Sequence, residues 1–177
     1  MVGKEGLIVE IPFTKEMVES AKKKAKALGK IKNSILKGKG NLAGYLGEEA
    51  VASYIDAVIV SNDEGEAKFG HDLLKDNKRI EVKTKRRTVV PKLFYDVSVA
   101  ASSKHQADKE GLDLYIFASI QFEGSIPKRI WIIGQKDRDQ YFKEARFIRE
   151  GEPEGNNGFI AHTNMYNLVT TKLDPLK

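Results

Sequence analysis

The chain has 177 residues, 41% hydrophobic and 31% charged, enough for one domain with a real core and a well-solvated surface. It has no cysteine, which excludes disulfides, thiolate zinc sites and cysteine nucleophiles. The net charge of +5 is unevenly spread: residues 14–40 carry +7, residues 75–92 carry +6, and the other 132 sum to −8. Two such basic segments raise local affinity for a polyanion more than the same charge spread evenly, and the expected partner is nucleic acid.

In chain order, Leu7–Phe13 reads as a short strand stopped by Pro12. A helix is expected from Thr14, a good N-cap, with Met17, Ala21, Ala25 and Leu28 on its apolar stripe and Gly29 as its stop. Residues 36–41 read as a basic, glycine-rich arm or linker. A second helix is expected over Leu42–Ile55, with Leu42, Leu46, Ala50 and Tyr54 facing the core. Ala57–Ser61 reads as a strand and Ser61–Gly65 as a turn. Two strands joined at Asp76-Asn77 follow. The alternation at Tyr95, Val97 and Val99 suggests another strand, and a short helix near Ser102–Lys109 ends at Gly111. Leu114–Ile120 is an apolar run of strand length, as for a strand covered on both faces. Arg129–Ile133 reads as a strand, 151–158 as an irregular loop, and Phe159–Val169 as mixed order ending in a strand. The expected fold is mixed α+β, a central mixed sheet flanked by helices in a single domain. Within it, residues 1–40 form a basic helical arm, 41–135 a catalytic core and 136–177 a C-terminal extension.

The chemistry is concentrated in Phe69–Lys85. Side chains alternate along a strand, so Glu81 and Lys83 share one face while Ile80, Val82 and Thr84 take the other. The hairpin turn can bring Asp72, placed on the first strand, close to Glu81. Two carboxylates and an ammonium on rigid strands suit Mg²⁺ binding and water activation for phosphodiester cleavage. Acid-x-Lys also occurs at Glu66–Lys68 and Asp76–Lys78, but only Glu81-Val82-Lys83 sits in a β-branched strand with an acid on the strand before it. An exposed hairpin with weak cross-strand ion pairs is the alternative for the same charges.

The pattern of Asp72, eight intervening residues and Glu81-Val82-Lys83 resembles the PD-(D/E)xK nuclease superfamily, the restriction-endonuclease-like fold. His71 stands where many members have Pro. Gly47-Glu48 with Tyr54-Ile55 resembles the acid-bearing first helix of that superfamily. Gly70-His71-Asp72-Leu73 with Glu81–Thr84 is similar to small members related to Holliday-junction resolvases. The resemblance covers about residues 42–121.

It implies a metal-dependent DNA endonuclease. Asp72, Glu81, the Val82 carbonyl and Glu48 would bind Mg²⁺, with Mn²⁺ able to substitute, and Lys83 would orient or deprotonate the attacking water. Glu49 competes with Glu48, being nearer the apolar stripe. Lys85, Arg86 and Arg87 are expected to contact phosphates, and Gln106 to support the site. A non-catalytic nucleic-acid-binding module on the same fold and a nuclease acting on RNA are the alternatives. No membrane span is expected, no secretory signal is evident, and the expected location is cytoplasmic. Oligomeric state stays open, although cutting both strands usually requires two active sites and hence a homodimer. His71, His105 and His162 have no metal-ligand spacing, and Tyr141, Phe142 and Tyr166 read as core aromatics before base-stacking ones.

Overall fold

A computed structural model describes residues 6–31, 39–60, 71–155 and 158–177, with the side chains of 28–31 and 39–41 left aside. The basic segment at 36–38, the turn at 61–65 and the start of the expected hairpin at Phe69-Gly70 lie outside the described residues.

The first half builds one face of the core. Strand β1 (Val9–Ile11) leads to helix α1 (Lys15–Ile31), where Met17 N donates to Thr14 Oγ1 at 3.2 Å, the expected N-cap. Gly29 does not end α1, which continues to Ile31. One glycine costs a helix only about 1 kcal/mol and terminates it only where the backbone turns left-handed. Helix α2 (Lys39–Ile55) buries Leu46, Ala50 and Val51 completely. Tyr54, expected in the core, is 47% exposed, while the next residue, Ile55, packs against the core cluster.

Strands β2 (Val58–Ile59), β3 (Leu73–Lys75) and β4 (Lys78–Arg87) follow. Asp76 (φ 49°) and Asn77 (φ 62°) both adopt the left-handed conformation that a tight two-residue hairpin needs and that Asp and Asn tolerate. β5 (Asp96–Ala100) runs into α3 (Ala101–Glu110), which ends on Gly111 at φ 68° as the sequence predicts. β6 (Leu114–Glu123), β7 (Ile126–Asp137), α4 (Arg138–Glu144), β8 (Arg146–Ile148), β9 (Met165–Val169) and a closing 3₁₀ turn complete the chain.

The main sheet has the order β1-β7-β6-β4-β3-β2, and β5-β9-β8 form a second sheet. β4 and β6 are parallel, while every other pair is antiparallel. The fold is thus mixed α+β, as expected, with the second sheet as an addition. β6 explains the layering. Ile116, Ala118 and Ile120 join Leu46, Ala50, Ile80 and Val82 in one cluster with the helices. Tyr115 and Phe117 point the other way and pack with Val97, Val99, Trp131, Tyr141 and Leu168. Strand alternation therefore builds two cores from one apolar run. Tyr141 is fully buried and Phe142 and Tyr166 pack against the same cluster, so these rings are core. Among the described residues no helix is long and apolar enough to cross a membrane.

Candidate active site

β3 begins only at Leu73, so the expected strand position of Asp72 is corrected by one residue: it stands just ahead of the strand. Its backbone still follows the hairpin, since Asp72 N donates to Ile80 O at 2.8 Å and Val60 N donates to Asp72 O at 2.9 Å. The paired register ends at Leu73↔Ile80, and the bond from Asp72 N sets Asp72 against Ile80 as well, a bulge at the start of β3. Val82 N–H then has no β3 carbonyl to meet. Asp72 Oδ2 takes that place, accepting from Val82 N at 2.8 Å. In an extended strand a residue's N–H and C=O lie along the same edge, so the Val82 carbonyl also faces the edge where Asp72 sits.

The second carboxyl comes from α2. Glu48 is hydrogen-bonded to Asp72. The next residue, Glu49, turns about 100° around the helix. It accepts from Ser20 Oγ at 2.6 Å and Lys24 Nζ at 2.9 Å, clamping α2 to α1. The competition between the two glutamates is settled by α1, which engages Glu49 and leaves Glu48 to the hairpin. Gly47 makes the approach possible: a Cβ there would lie 2.9 Å from Thr84 Cβ on β4.

Glu81 is paired with Lys83 on the face of β4 away from α2, and both are half-buried. Their charges act on Asp72, Glu81 raising its pKa and Lys83 lowering it. Asp72 is nonetheless pushed up to about 6, foremost by burial. Glu48 is pushed up to about 8, first by burial and then by the Asp72 charge, with Lys24 as the opposing influence. Their mutual hydrogen bond raises the Glu48 pKa and lowers that of Asp72, so a proton shared by the pair favours Glu48. Such a pair fits a divalent cation, which replaces the shared proton with charge and oxygen coordination. Among the described residues no group of three or more His, Cys, Asp or Glu is arranged to hold a metal ion. Glu81 is the member that stands apart: it is paired with Lys83 on the opposite face of β4 from Ile80 and Val82, which pack under α2.

Two neighbours escaped the sequence reading. Tyr45 is raised in pKa by burial and by the charges of Glu48 and Asp72, so it lies beside the acid pair. The signal was its position three residues before Glu48, on the same side of α2. Lys24 reaches the site from α1, a link of 24 residues that no local pattern reveals.

Beyond Lys83, alternate residues of β4 run along a cavity of about 230 Å³ between the two sheets. Lys83, Lys85 and Arg87 line it from β4, Ser119 from β6, and Asp96 and Ser98 from β5. Asp96 already bonds Arg146 at 2.8 Å. Lys85 is exposed at its surface, yet crowding by protein and the charge of Arg87 lower its pKa. Arg87 donates to Ser119 Oγ at 3.0 Å and lies over the Tyr95 ring at 4.8 Å. Arg86 parts from the other two: its guanidinium lies 4.1 Å from the Phe122 ring centre and bonds Gly124 O. Gln106 is exposed on α3 and donates to Glu110 Oε1 of its own helix at 3.2 Å. Of the expected residues, Asp72 and Glu48 meet directly, Glu81 and Lys83 form a neighbouring pair whose charges act on Asp72, Lys85 and Arg87 continue along the cavity, and Arg86 is directed elsewhere.

No protein-family model and no curated protein matches the chain.

Proposed function

We propose that the protein is a Mg²⁺-dependent DNA endonuclease of the PD-(D/E)xK type. The observation that carries the reading is the convergence of Glu48 from α2 on Asp72, whose own carboxylate caps Val82 between Glu81 and Lys83. Asp72, Glu81, the Val82 carbonyl and Glu48 would hold Mg²⁺ or, as a substitute, Mn²⁺. When bound, the cation supplies Lewis-acid stabilisation of the scissile phosphate and a more acidic water. Lys83, released from Glu81, donates to the attacking water or to a phosphate oxygen where charge develops. Lys85 and Arg87 hold flanking phosphates without reading bases. An intracellular place of action and a homodimer that presents one site to each strand complete this reading.

The test is plasmid nicking with Mg²⁺, Mn²⁺ or EDTA, run beside Asp72→Ala and Lys83→Ala and repeated on RNA. Metal-dependent nicking that disappears in both variants while DNA binding persists supports the reading. Cleavage unchanged in both variants removes this site from consideration, and cleavage confined to RNA changes the substrate.

The Glu81–Lys83 pair favours a second reading, in which the two charges satisfy each other and the fold binds nucleic acid without cutting it. Salt-sensitive DNA binding with no cleavage under any metal distinguishes it.

A further inference from the structure

The loop between β4 and β5 exposes an apolar cluster that a folded core would normally absorb. Phe94 is 69% exposed, and Val89, Val90 and Leu93 are 50%, 42% and 42% exposed. The loop is nevertheless firmly built. Pro91 is buried, and Tyr95 N donates to Lys92 O at 3.0 Å. Tyr95 O accepts from both Thr170 N at 2.9 Å and Thr170 Oγ1 at 2.7 Å. At the other end Gln121 Nε2 donates to Thr88 O at 3.2 Å. Phe94 stands edge-on to Tyr95, ring centres 5.0 Å apart, with Lys92 Nζ 5.7 Å from its own ring centre. The ring is thus presented to solvent at little further ordering cost, as stacking platforms are.

Its surroundings decide what it meets. Residues 82–95 contain five Lys or Arg and no acid. Both feet of the loop, Arg87 and Asp96, line the basic cavity, so Phe94 stands at the end of the rail that starts at Lys83. A second copy of the chain would bring like charge against this rail. A polyanion with accessible apolar rings matches both the charge and the exposed ring. In an uninterrupted duplex the base faces are covered by their neighbours, so a ring can stack only where a base is unpaired or unstacked.

We infer that Phe94 is a base-stacking residue and that the preferred substrate carries unpaired bases next to the bound strand, as in single strands, flaps or mismatches. This rests on the nuclease reading only for the word substrate; the binding preference stands by itself.

The experiment measures binding in EDTA, by fluorescence anisotropy, of one sequence as single strand, as flap-bearing duplex and as perfect duplex. Wild type, Phe94→Ala and Phe94→Trp are compared. The expected result is tighter wild-type binding to the first two forms. Phe94→Ala should weaken it on the order of tenfold there, leave perfect-duplex binding and the salt slope unchanged, and Phe94→Trp should retain it. Equal affinities of Phe94→Ala and wild type for all three forms overturn the inference. So does sedimentation in which Phe94→Ala converts a dimer to a monomer, since the loop is then a subunit contact. If the preference holds but no metal supports cleavage, the nuclease reading fails and this inference survives. If cleavage requires Asp72 but Phe94→Ala binds all three forms like wild type, the reverse is true.

Discussion

Gly47 of α2 and Thr84 of β4 leave no room between them: a Cβ on residue 47 would overlap Thr84 Oγ1 and stand 2.9 Å from Thr84 Cβ. Thr84 Oγ1 is also buried without a hydrogen-bond partner among the described residues. The close approach seats the next residue, Glu48, against Asp72, so the glycine governs the site although it carries no chemistry.

Gly47→Ala is expected to move α2 off β4 and lower nicking by at least tenfold, because displacements near 1 Å at a reacting centre cost on the order of 100-fold. Helix propensity alone would stabilise the variant by about 1 kcal/mol, against an overpacking cost of about 1–3 kcal/mol. A modest net loss of stability is therefore expected. Adding Thr84→Ala removes the Oγ1 overlap but keeps the 2.9 Å Cβ contact, so it should restore activity and stability in part, still giving a positive coupling in the double-mutant cycle. Additive effects of the two substitutions would show that the contact does not set the position of Glu48.

The Glu48–Asp72 pair makes the metal-free protein pH-sensitive in a definite direction. Both pKa values are raised above the ordinary 4.5 and 3.8, to about 8 and about 6. The folded state therefore binds more protons than the unfolded one between about pH 4 and 8, and stability in EDTA falls as pH rises through that window. Glu48→Gln keeps a neutral donor for Asp72 and removes the Glu48 titration. It should unfold at higher urea than wild type at pH 8, by on the order of 1–2 kcal/mol, with the gap closing toward pH 4. The same variant should lose Mg²⁺-dependent cleavage. Wild-type Mg²⁺ affinity should rise with pH up to about 8, since binding expels the shared proton. Equal urea midpoints for the two proteins at pH 8 would contradict the crowding of these acids.

Much of this arrangement was legible in local pattern. The Asp76-Asn77 turn and the alternation at Ile80 and Val82 define the hairpin, because both are decided within a few residues. The apolar run at Leu114–Ile120 is buried on both faces, as its composition demands. What stayed hidden depends on distant partners. The second sheet joins β5 to β9 across more than 60 residues, in strands of five residues or fewer whose pairing has no sequence mark of its own. Glu48 could be told from Glu49 only through Ser20 and Lys24, and at the end of α2 it is Ile55, not Tyr54 of the expected stripe, that packs on the core.

Asp72 has a structural duty besides its proposed chemical one, since it replaces a missing strand carbonyl at Val82 N–H. Asp72→Asn keeps an oxygen acceptor and removes the repulsion from Glu81, whereas Asp72→Ala leaves the donor without that partner. The Asn variant should therefore be the more stable of the two by about 1 kcal/mol in urea unfolding. Both should be inactive, because neither supplies a carboxylate. Equal stability of the pair would indicate that water caps Val82 as well as Asp72 does.

Lys85 and Arg87 line the same cavity but are tied to the fold differently. Arg87 bonds Ser119 and covers Tyr95, so Arg87→Ala should lower both DNA affinity and melting temperature, the latter by a few degrees for a loss near 1 kcal/mol. Lys85 is exposed, so Lys85→Ala should weaken DNA binding uniformly across sequences and reduce the salt slope by about 1 while melting like wild type. Arg86→Ala separates direction from charge. Its guanidinium lies on Phe122 rather than in the cavity, so it should lose stability with the salt slope intact. A salt slope that falls equally in all three variants would mean that net charge, and not the rail along alternate β4 residues, holds the phosphates.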